Sequence, residues 1–596
     1  MKNLISQSKT AKYLLLTICV IFAGLFLFSK KEPIAKDSEL VSDETIAEPV
    51  ITEELKEQEP VHIEEEEVVI EEPSVEELMV SFDIENAYSY CKNVDCLVDK
   101  TKDVVSYLID FSDGIPESDD NNIYLFEFST YEKEELNEDK KPAASALKGS
   151  NVQIDLPFKD RYLFSRFVPA ILYENQYVSL FDGKYISNPE DLAENTQDYL
   201  KIDSKKGILL DANTIDKHEL YDLNVNRAVY NIPLSFIIGE TENEAVPTID
   251  YEYNGETYHF NGHLCAGFDS LISYLTENGI HSTIIILNDW NKKNPEIIHP
   301  KSRKKTGRSM YYAFNTEEEE GVRLMEATAM FLADRYSGGE YGLVYDWIIA
   351  NEINQQRMWN YMDTADIDYY TESFEKSFRT FYNAVKSHYS NANIYFSIDH
   401  DWNDNYGNNW RFFNARDILY KFNEYANKGG NYDWSLSIHP YPNPLTKVKF
   451  WKGSFDKSEE AKHVTPMNLS VITDLMQKEE FLNRDGEVRN IGVTELGFTS
   501  GAGEKLQAAA YAYCYYIIEK NEFINSFLMN RQTDDAGALQ SGLRLGIYNY
   551  DYSPKFIKEV FANVDSDNQD TREKFIPELL EIIGADSLDE ALSWAE

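Results

Sequence analysis

The chain has 596 residues and carries 103 Asp plus Glu against 56 Lys plus Arg, a net charge of −47. A surface that negative repels phosphate backbones and anionic lipid headgroups, which argues against nucleic acid as a partner, whereas a neutral partner such as an oligo- or polysaccharide meets no such repulsion. Its 43% hydrophobic and 13% aromatic residues exclude a disordered or fibrous chain. Five cysteines exclude a disulfide scaffold, a zinc ribbon and a cluster ferredoxin. Only Cys91 and Cys96 lie close together, and a small loop disulfide there is neither required nor forbidden.

Residues 1–31 read as an export segment. Lys2, Lys9 and Lys12 precede an uncharged run over 13–29, which Lys30 and Lys31 close. Seventeen residues are few for a membrane span and many for a signal-peptide core, and no A-x-A-like cleavage site follows. The expectation is an uncleaved anchor with a cytoplasmic amino end, the alternative being a cleaved signal and secretion. Either way the rest of the chain is expected outside the cytoplasm, at the cell surface in the anchored case. Residues 32–79 hold eighteen acidic residues, two lysines and four prolines. Self-repulsion and the lack of aromatics predict an extended, disordered acidic linker.

Residues 80–187 are strand-like, with apolar runs at 122–128, 152–156, 162–167 and 177–181. Short strands separated by turn signals predict a small β-sandwich-like domain. From 188 to 575 the rhythm becomes α/β. Short apolar runs at 207–210, 228–234, 283–287, 347–350, 394–398, 434–438, 491–493 and 524–529 alternate with amphipathic helical stretches at 321–336, 370–388, 415–427 and 504–519. Eight such repeats predict a parallel (β/α)8 barrel, that is, a TIM barrel. The rival, an open doubly wound sheet, would usually carry a Gly-rich phosphate turn after its first strand, and none is found. Residues 576–596 form a C-terminal helical tail.

In such a barrel the chemistry sits where strands end, because side chains there converge on one mouth. The fourth apolar run ends in Asn351-Glu352 and the seventh in Thr494-Glu495. A glutamate at the end of a buried strand is costly unless it is paired or put to use. Strands four and seven lie on opposite sides of the mouth, so the two carboxylates can face each other. One proton donor and one nucleophile or base flanking a glycosidic bond are what sugar hydrolysis needs.

These residues resemble clan A of the retaining glycoside hydrolases. The stretch 347–361, Trp-Ile-Ile-Ala-Asn-Glu-Ile-Asn-Gln-Gln-Arg-Met-Trp-Asn-Tyr, together with Thr494-Glu-Leu-Gly-Phe-Thr499, is similar to an uncharacterised bacterial cell-surface family within that group. The resemblance implies Glu352 as general acid/base, Glu495 as nucleophile, and Asn351 bonded to the sugar 2-hydroxyl or its equivalent. It also gives weight to His439 and Tyr441 at the end of strand six, either of which can orient the Glu495 carboxylate. Two features depart from the group: strand eight ends in Met529-Asn530-Arg531-Gln532 without a tryptophan, leaving Arg531 as a candidate, and strand two offers Tyr230-Asn231-Ile232-Pro233 with no obvious arginine.

Trp290, Trp359 and Trp402 follow strands three, four and five and are candidates for stacking on sugar rings. Asp399-His400-Asp401 suggests a metal, but no second His stands at i+4. The expectation is therefore hydroxyl binding, with no metal and no cofactor. The basic run Lys301, Arg303, Lys304, Lys305 and Arg308 reads as a solvated loop unless the substrate is a uronic acid. Two rival readings stand beside hydrolysis: a non-catalytic carbohydrate-binding or adhesive surface protein on a barrel scaffold, and transglycosylation through the same covalent intermediate.

Overall fold

The computed structural model describes residues 75–596 except 212–216, 243–244, 305 and 408–410. The expected export segment and residues 32–74 of the acidic linker lie outside the described residues. No helix among the described residues is long and apolar enough to cross a membrane.

Two antiparallel sheets form the first folded region. Asn93–Asp99, Val104–Asp110 and Asn151–Pro157 make one of three strands; Ala144–Leu147, Asn122–Phe128, Arg166–Tyr173 and Gln176–Ser179, in that order, make one of four. Asn151–Pro157 alternates strictly, with Val152, Ile154 and Leu156 buried and their neighbours exposed, as a half-buried strand does. These three share one core with Tyr107 of their own sheet and with Leu125, Phe167 and Ile171 of the other. Val75–Leu78 is a helical turn, and Met79–Val80 pairs in parallel with Ile115–Pro116. The last residues of the expected linker therefore pack on this region.

The run 162–167, expected as a strand, begins instead as a 3-10 turn over Asp160–Phe164. Tyr162, Leu163 and Phe164 are buried in succession, which a strand's two-residue period cannot achieve on one face. The turn sends Tyr162 into the core of the sheets and Leu163 and Phe164 into the core of the barrel.

The barrel closes from eight parallel strands in sequence order: β1 Lys206–Leu209, β2 Arg227–Pro233, β3 His281–Leu287, β4 Asp346–Ile349, β5 Asn393–Asp399, β6 Ser435–His439, β7 Ile491–Leu496 and β8 Ile524–Met529. All eight expected strands are present: β8 has the expected bounds, β1 to β6 differ by a residue or two at their ends, and β7 runs three residues further, to Leu496. Around them run α1 Gly262–Glu277, α2 Glu319–Tyr336, α3 Ile367–Lys386, α4 Ala415–Lys428 and α5 Glu504–Lys520. Helix α3 starts where the Asp366 carboxylate accepts from the amides of Asp368 and Tyr369, as an N-cap does. It buries Phe374, Phe378, Phe381, Tyr382 and Val385 against the sheet. Helix α1 ends at Asn278, and Gly279 follows at φ +64°, a left-handed position that glycine adopts without strain. The tail helices Ile576–Ile583 and Leu588–Ser593 pack on the barrel, where Tyr513 donates to the Ala591 carbonyl at 2.5 Å. Cys91 and Cys96 are buried free thiols.

Strand alternation divides the barrel's apolar residues into two sets. Ile284, Ile286, Trp347 and Ile349 face the helices, whereas Leu209, Val229, Ile285, Ile348, Tyr395 and Leu528 fill the interior. Side chains one or two steps further along the same inward rows emerge at the mouth.

Candidate active site

The inward rows of β2, β5, β6 and β8 continue into Asn231, Ser397 and Asp399, Ser437 and His439, and Asn530, so polar side chains crown the apolar interior. A cavity of about 220 Å³ opens there, lined by Asn231, Asn351, Glu352, Asp399, Tyr441, Glu495 and Asn530 among others.

Glu352 reaches this mouth through a tight elbow after β4. Ala350 and Glu352 have φ of +63° and +38°, a left-handed geometry that costs a non-glycine residue on the order of 1–3 kcal/mol and persists only where neighbours enforce it. One such neighbour is Ser397, whose hydroxyl accepts from the Glu352 amide at 2.8 Å. The Glu352 carboxylate is buried, and its Oε1 shares a 2.9 Å hydrogen bond with His439 Nδ1. Burial raises its pKa to about 7; His439 pulls it back in part, and the charges of Asp399 and Glu495 push it up. For His439, burial favours the neutral ring, but the Glu352 hydrogen bond and the charges of Glu495, Glu352 and Asp399 outweigh it, so its pKa is raised.

Glu495 arrives by a different device. Ile491 and Val493 face the helices, and strict alternation would send residue 495 the same way. Between Val493 and Leu496, β7 spends three steps where β8 spends two, pairing Val493 with Phe527 and Leu496 with Met529. The extra residue, a bulge, brings Glu495 onto the cavity wall. There its Oε1 accepts from the Tyr441 hydroxyl at 2.9 Å and from Asn530 Nδ2 at 3.0 Å, and Asn530 Nδ2 also reaches the Tyr441 oxygen at 2.8 Å. Burial, then the Glu495 charge, holds the Tyr441 phenol well above its ordinary pKa, so it remains a donor. Gly497 permits this approach, since a Cβ there would lie 2.0 Å from the Asn530 carbonyl oxygen.

A carboxylate oxygen of Glu352, one of Glu495 and a ring nitrogen of His439 all lie within 4.8 Å of one another. Residues 143 positions apart in the chain thus meet at one point. Behind them, Thr494 Oγ1 is hydrogen-bonded to Ser437 Oγ and lies 3.2 Å from His439 Nε2. Asp399 accepts from Asn354 Nδ2 at 2.6 Å and from Gln355 Nε2 at 2.7 Å, and burial raises its pKa.

The other expected site residues divide. Asn351, Tyr441, Trp359 and Arg531 line the cavity with the two glutamates; Arg531 Nη1 stands 3.6 Å from Asp535, and Trp359 packs at a tilt on Tyr311 with ring centres 5.8 Å apart. His439 is 1% exposed and sits behind Glu352. It orients that carboxylate rather than Glu495 and presents nothing to a substrate. Trp402 is 0% exposed, and its indole N–H donates to the Glu459 carbonyl at 2.9 Å. It is therefore a loop anchor with no face to offer a sugar. Trp290 packs on Tyr312 outside the cavity lining, with ring centres 5.3 Å apart. In the basic loop, Arg303 binds the Pro295, Ile298 and Glu296 carbonyls and pairs with Glu318 at 2.5 Å, and Lys301 covers the Tyr369 ring. These two cations are committed to local structure.

Asn530, Ser397 and Asn231 were not among the expected site residues, although the sequence carries their signal. Each follows the inward row of its strand by two-residue counting. The bulge in β7 has no comparable mark, because it depends on the partner strand.

A family of unknown function (DUF5722) matches residues 198–591. No curated protein matches the chain. Among solved structures, it is similar to a family 39 glycoside hydrolase from Bacteroides cellulosilyticus WH2, at 16% identity and a TM-score of 0.41, over 76% of this chain and 78% of that one. It is also similar to a hyperthermophilic β-glucosidase from Pyrococcus furiosus, at 14% identity and 0.40, over 62% and 85% of the two chains. A third is the endo-1,4-β-D-xylanase 10B of Clostridium thermocellum, at 10% identity and 0.38, over 81% and 96%.

Proposed function

We propose that this chain, which belongs to that family of unknown function, is a retaining glycoside hydrolase acting on an oligo- or polysaccharide. One observation carries the reading: the Glu352 and Glu495 carboxylates, at the ends of β4 and β7, bring oxygens within 4.8 Å of each other. Retaining glycosidases hold their two carboxyl groups about 5–5.5 Å apart, whereas inverting ones need about 6.5–9.5 Å to admit a water.

In the first step a Glu495 oxygen attacks the anomeric carbon as the glycosidic C–O bond breaks, and Glu352 gives its proton to the departing oxygen. In the second, Glu352, now a carboxylate, takes a proton from water. The water oxygen bonds to the anomeric carbon and Glu495 leaves. The assignment follows from environment: burial raises Glu352 to about 7, so it can carry a proton near neutrality, while Tyr441 and Asn530 donate to Glu495 and hold its carboxylate at the cavity wall. Asn351, Trp359 and Arg531 are placed on the cavity wall to bind sugar. The β-rich region is a sandwich-like module that supports the barrel, and residues 1–31 export the protein and hold it at the cell surface, the acidic linker acting as a stalk.

The test is hydrolysis by the full-length protein across a panel of aryl glycosides and polysaccharides, with Glu352→Ala and Glu495→Ala as controls and the anomeric form of the first product read by NMR. Retention of configuration and loss of turnover in both variants are expected. Unchanged turnover in both variants, or an inverted product, overturns the reading.

A further inference from the structure

Beside the cavity, the loops after β5 and β6 bring together residues that hydrolysis does not use. His400 and Asp401 follow β5, and His463 lies 63 positions beyond His400, in the long segment after β6. Asp401 Oδ1 stands 3.2 Å from His463 Nδ1 and 3.6 Å from His400 Nε2, and one ligand atom from each of the three residues lies within 4.8 Å of the other two. The sequence offers no second histidine at helical spacing from His400; the fold supplies one.

None of these contacts amounts to a hydrogen bond. Asp401 is 6% exposed, and Asp401 Oδ1 and His463 Nδ1 are both buried without a hydrogen-bond partner among the described residues. Leaving a buried carboxylate oxygen without a hydrogen bond costs on the order of 1–3 kcal/mol or more, and a cation shared by Asp401 and the two imidazoles at ion-pair distance from it would offset that cost. Donor atoms around tetrahedral zinc, with bonds of about 2.0–2.1 Å to nitrogen and oxygen, are spaced about 3.3 Å apart. The two separations from Asp401 Oδ1 bracket that value.

The surroundings hold the donors in place. Gln355 Nε2 donates to the other Asp401 oxygen at 3.0 Å. On the far side of the ring, Asp404 Oδ2 stands 3.9 Å from His463 Nε2, a carboxylate of the kind that accepts the second N–H of a metal-bound histidine; metal binding at Nδ1 requires the Asn443 side-chain amide, whose nitrogen lies 2.8 Å from Nε2, to turn its oxygen to that N–H. The two loops are stitched by backbone bonds, Val464 N to His400 O and Asn403 N to Lys462 O, both 3.0 Å. Trp402 is buried beneath them.

We propose that His400, Asp401 and His463 form a binding site for a divalent transition metal of the zinc class, with its remaining coordination position open to water or to a substrate oxygen. Two imidazoles and one carboxylate select zinc and its neighbours over calcium or magnesium, which prefer all-oxygen sites. His400 also lines the cavity, so the ion stands next to the space assigned to the sugar. The proposal does not depend on the glycosidase reading.

The test uses the full-length protein, stripped with a chelator and titrated with Zn²⁺ alone, with metal content read after gel filtration and Co²⁺ binding followed by its visible d–d absorption. One retained zinc per chain is expected, weakened more than about tenfold in His463→Ala and in Asp401→Asn and unchanged in Glu495→Gln, which alters the other His–carboxylate group. His463→Gln, close in size and lacking the imidazole, decides if His463→Ala melts early in its metal-free form. No zinc retained by the native chain overturns the proposal. So does zinc that survives the His463 and Asp401 substitutions, or zinc lost instead in Glu495→Gln.

Discussion

His439 and Glu352 share a 2.9 Å hydrogen bond beneath the cavity, which makes the imidazole a regulator of the carboxyl group's charge. Burial raises Glu352 to about 7, and His439 works in the opposite direction. Turnover that needs a protonated Glu352 is expected to fall as pH rises through about 7. His439→Gln removes the group that pulls the value down, so the alkaline limb of the pH–rate profile is expected to move to higher pH. A limb that stays in place or moves down would show that another group sets it.

The same shift acts on stability. A carboxyl group whose folded pKa lies above its ordinary 4.5 stabilises the fold fully below that ordinary value and loses the contribution as pH rises through about 7. Glu352→Gln cannot ionise. Its Tm relative to the native chain is expected to climb between pH 5 and pH 8, as read by calorimetry.

Glu352 and Glu495 are expected to fail differently. Glu352→Ala removes a general acid, worth about 10²–10⁴-fold, and the loss should shrink on aryl glycosides whose leaving group needs no proton. Glu495→Ala removes the nucleophile, and its loss should persist on every substrate. Comparing kcat across leaving groups distinguishes the two.

Tyr441 and Asn530 donate to one oxygen, Glu495 Oε1. Hydrogen bonds to a charged group are worth about 1.5–3 kcal/mol, so Tyr441→Phe and Asn530→Ala should each lower kcat by about tenfold or more with little change in KM. Because the donors also bond to each other, the double variant should lose less than the product of the two. Gly497→Ala should reproduce the defect with both donors still present in the sequence, since its Cβ would displace Asn530.

Trp359 and Trp402 have opposite fates. Trp359→Ala at the cavity wall should raise KM by about tenfold and leave Tm nearly unchanged, stacking being worth about 0.5–1.5 kcal/mol beyond the area covered. Trp402→Ala empties a fully buried site and should cost about 3–5 kcal/mol of stability. Thermal melts and saturation kinetics on the two variants give the contrast.

The barrel was legible because its strands are buried on both sides. Runs such as Ile284-Ile285-Ile286 need no partner to be recognised, and the glutamates after β4 and β7 stand where chemistry belongs. The hairpin of Ile249–Tyr253 with Glu256–Phe260 went unread despite its Asn254-Gly255 turn, with φ of +50° and +82°, because it interrupts the β/α rhythm after β2. Trp402 in sequence is indistinguishable from Trp359, since exposure depends on what the loop folds against. The pairing of His439 with Glu352 rather than Glu495 follows from inward rows that chain order does not display. His463 meeting His400 depends wholly on two loops closing together.

Leu163 and Phe164 belong to the first folded region by sequence, yet their side chains complete the core of the barrel. Asn383 of α3 holds the Leu163 carbonyl at 2.6 Å, and the Tyr185 amide donates to the Gly429 carbonyl at 3.0 Å, just past α4. The junction is thus a plug seated in a socket rather than a hinge. An excised barrel would carry an open apolar notch on its flank, and the intact protein should melt in a single transition.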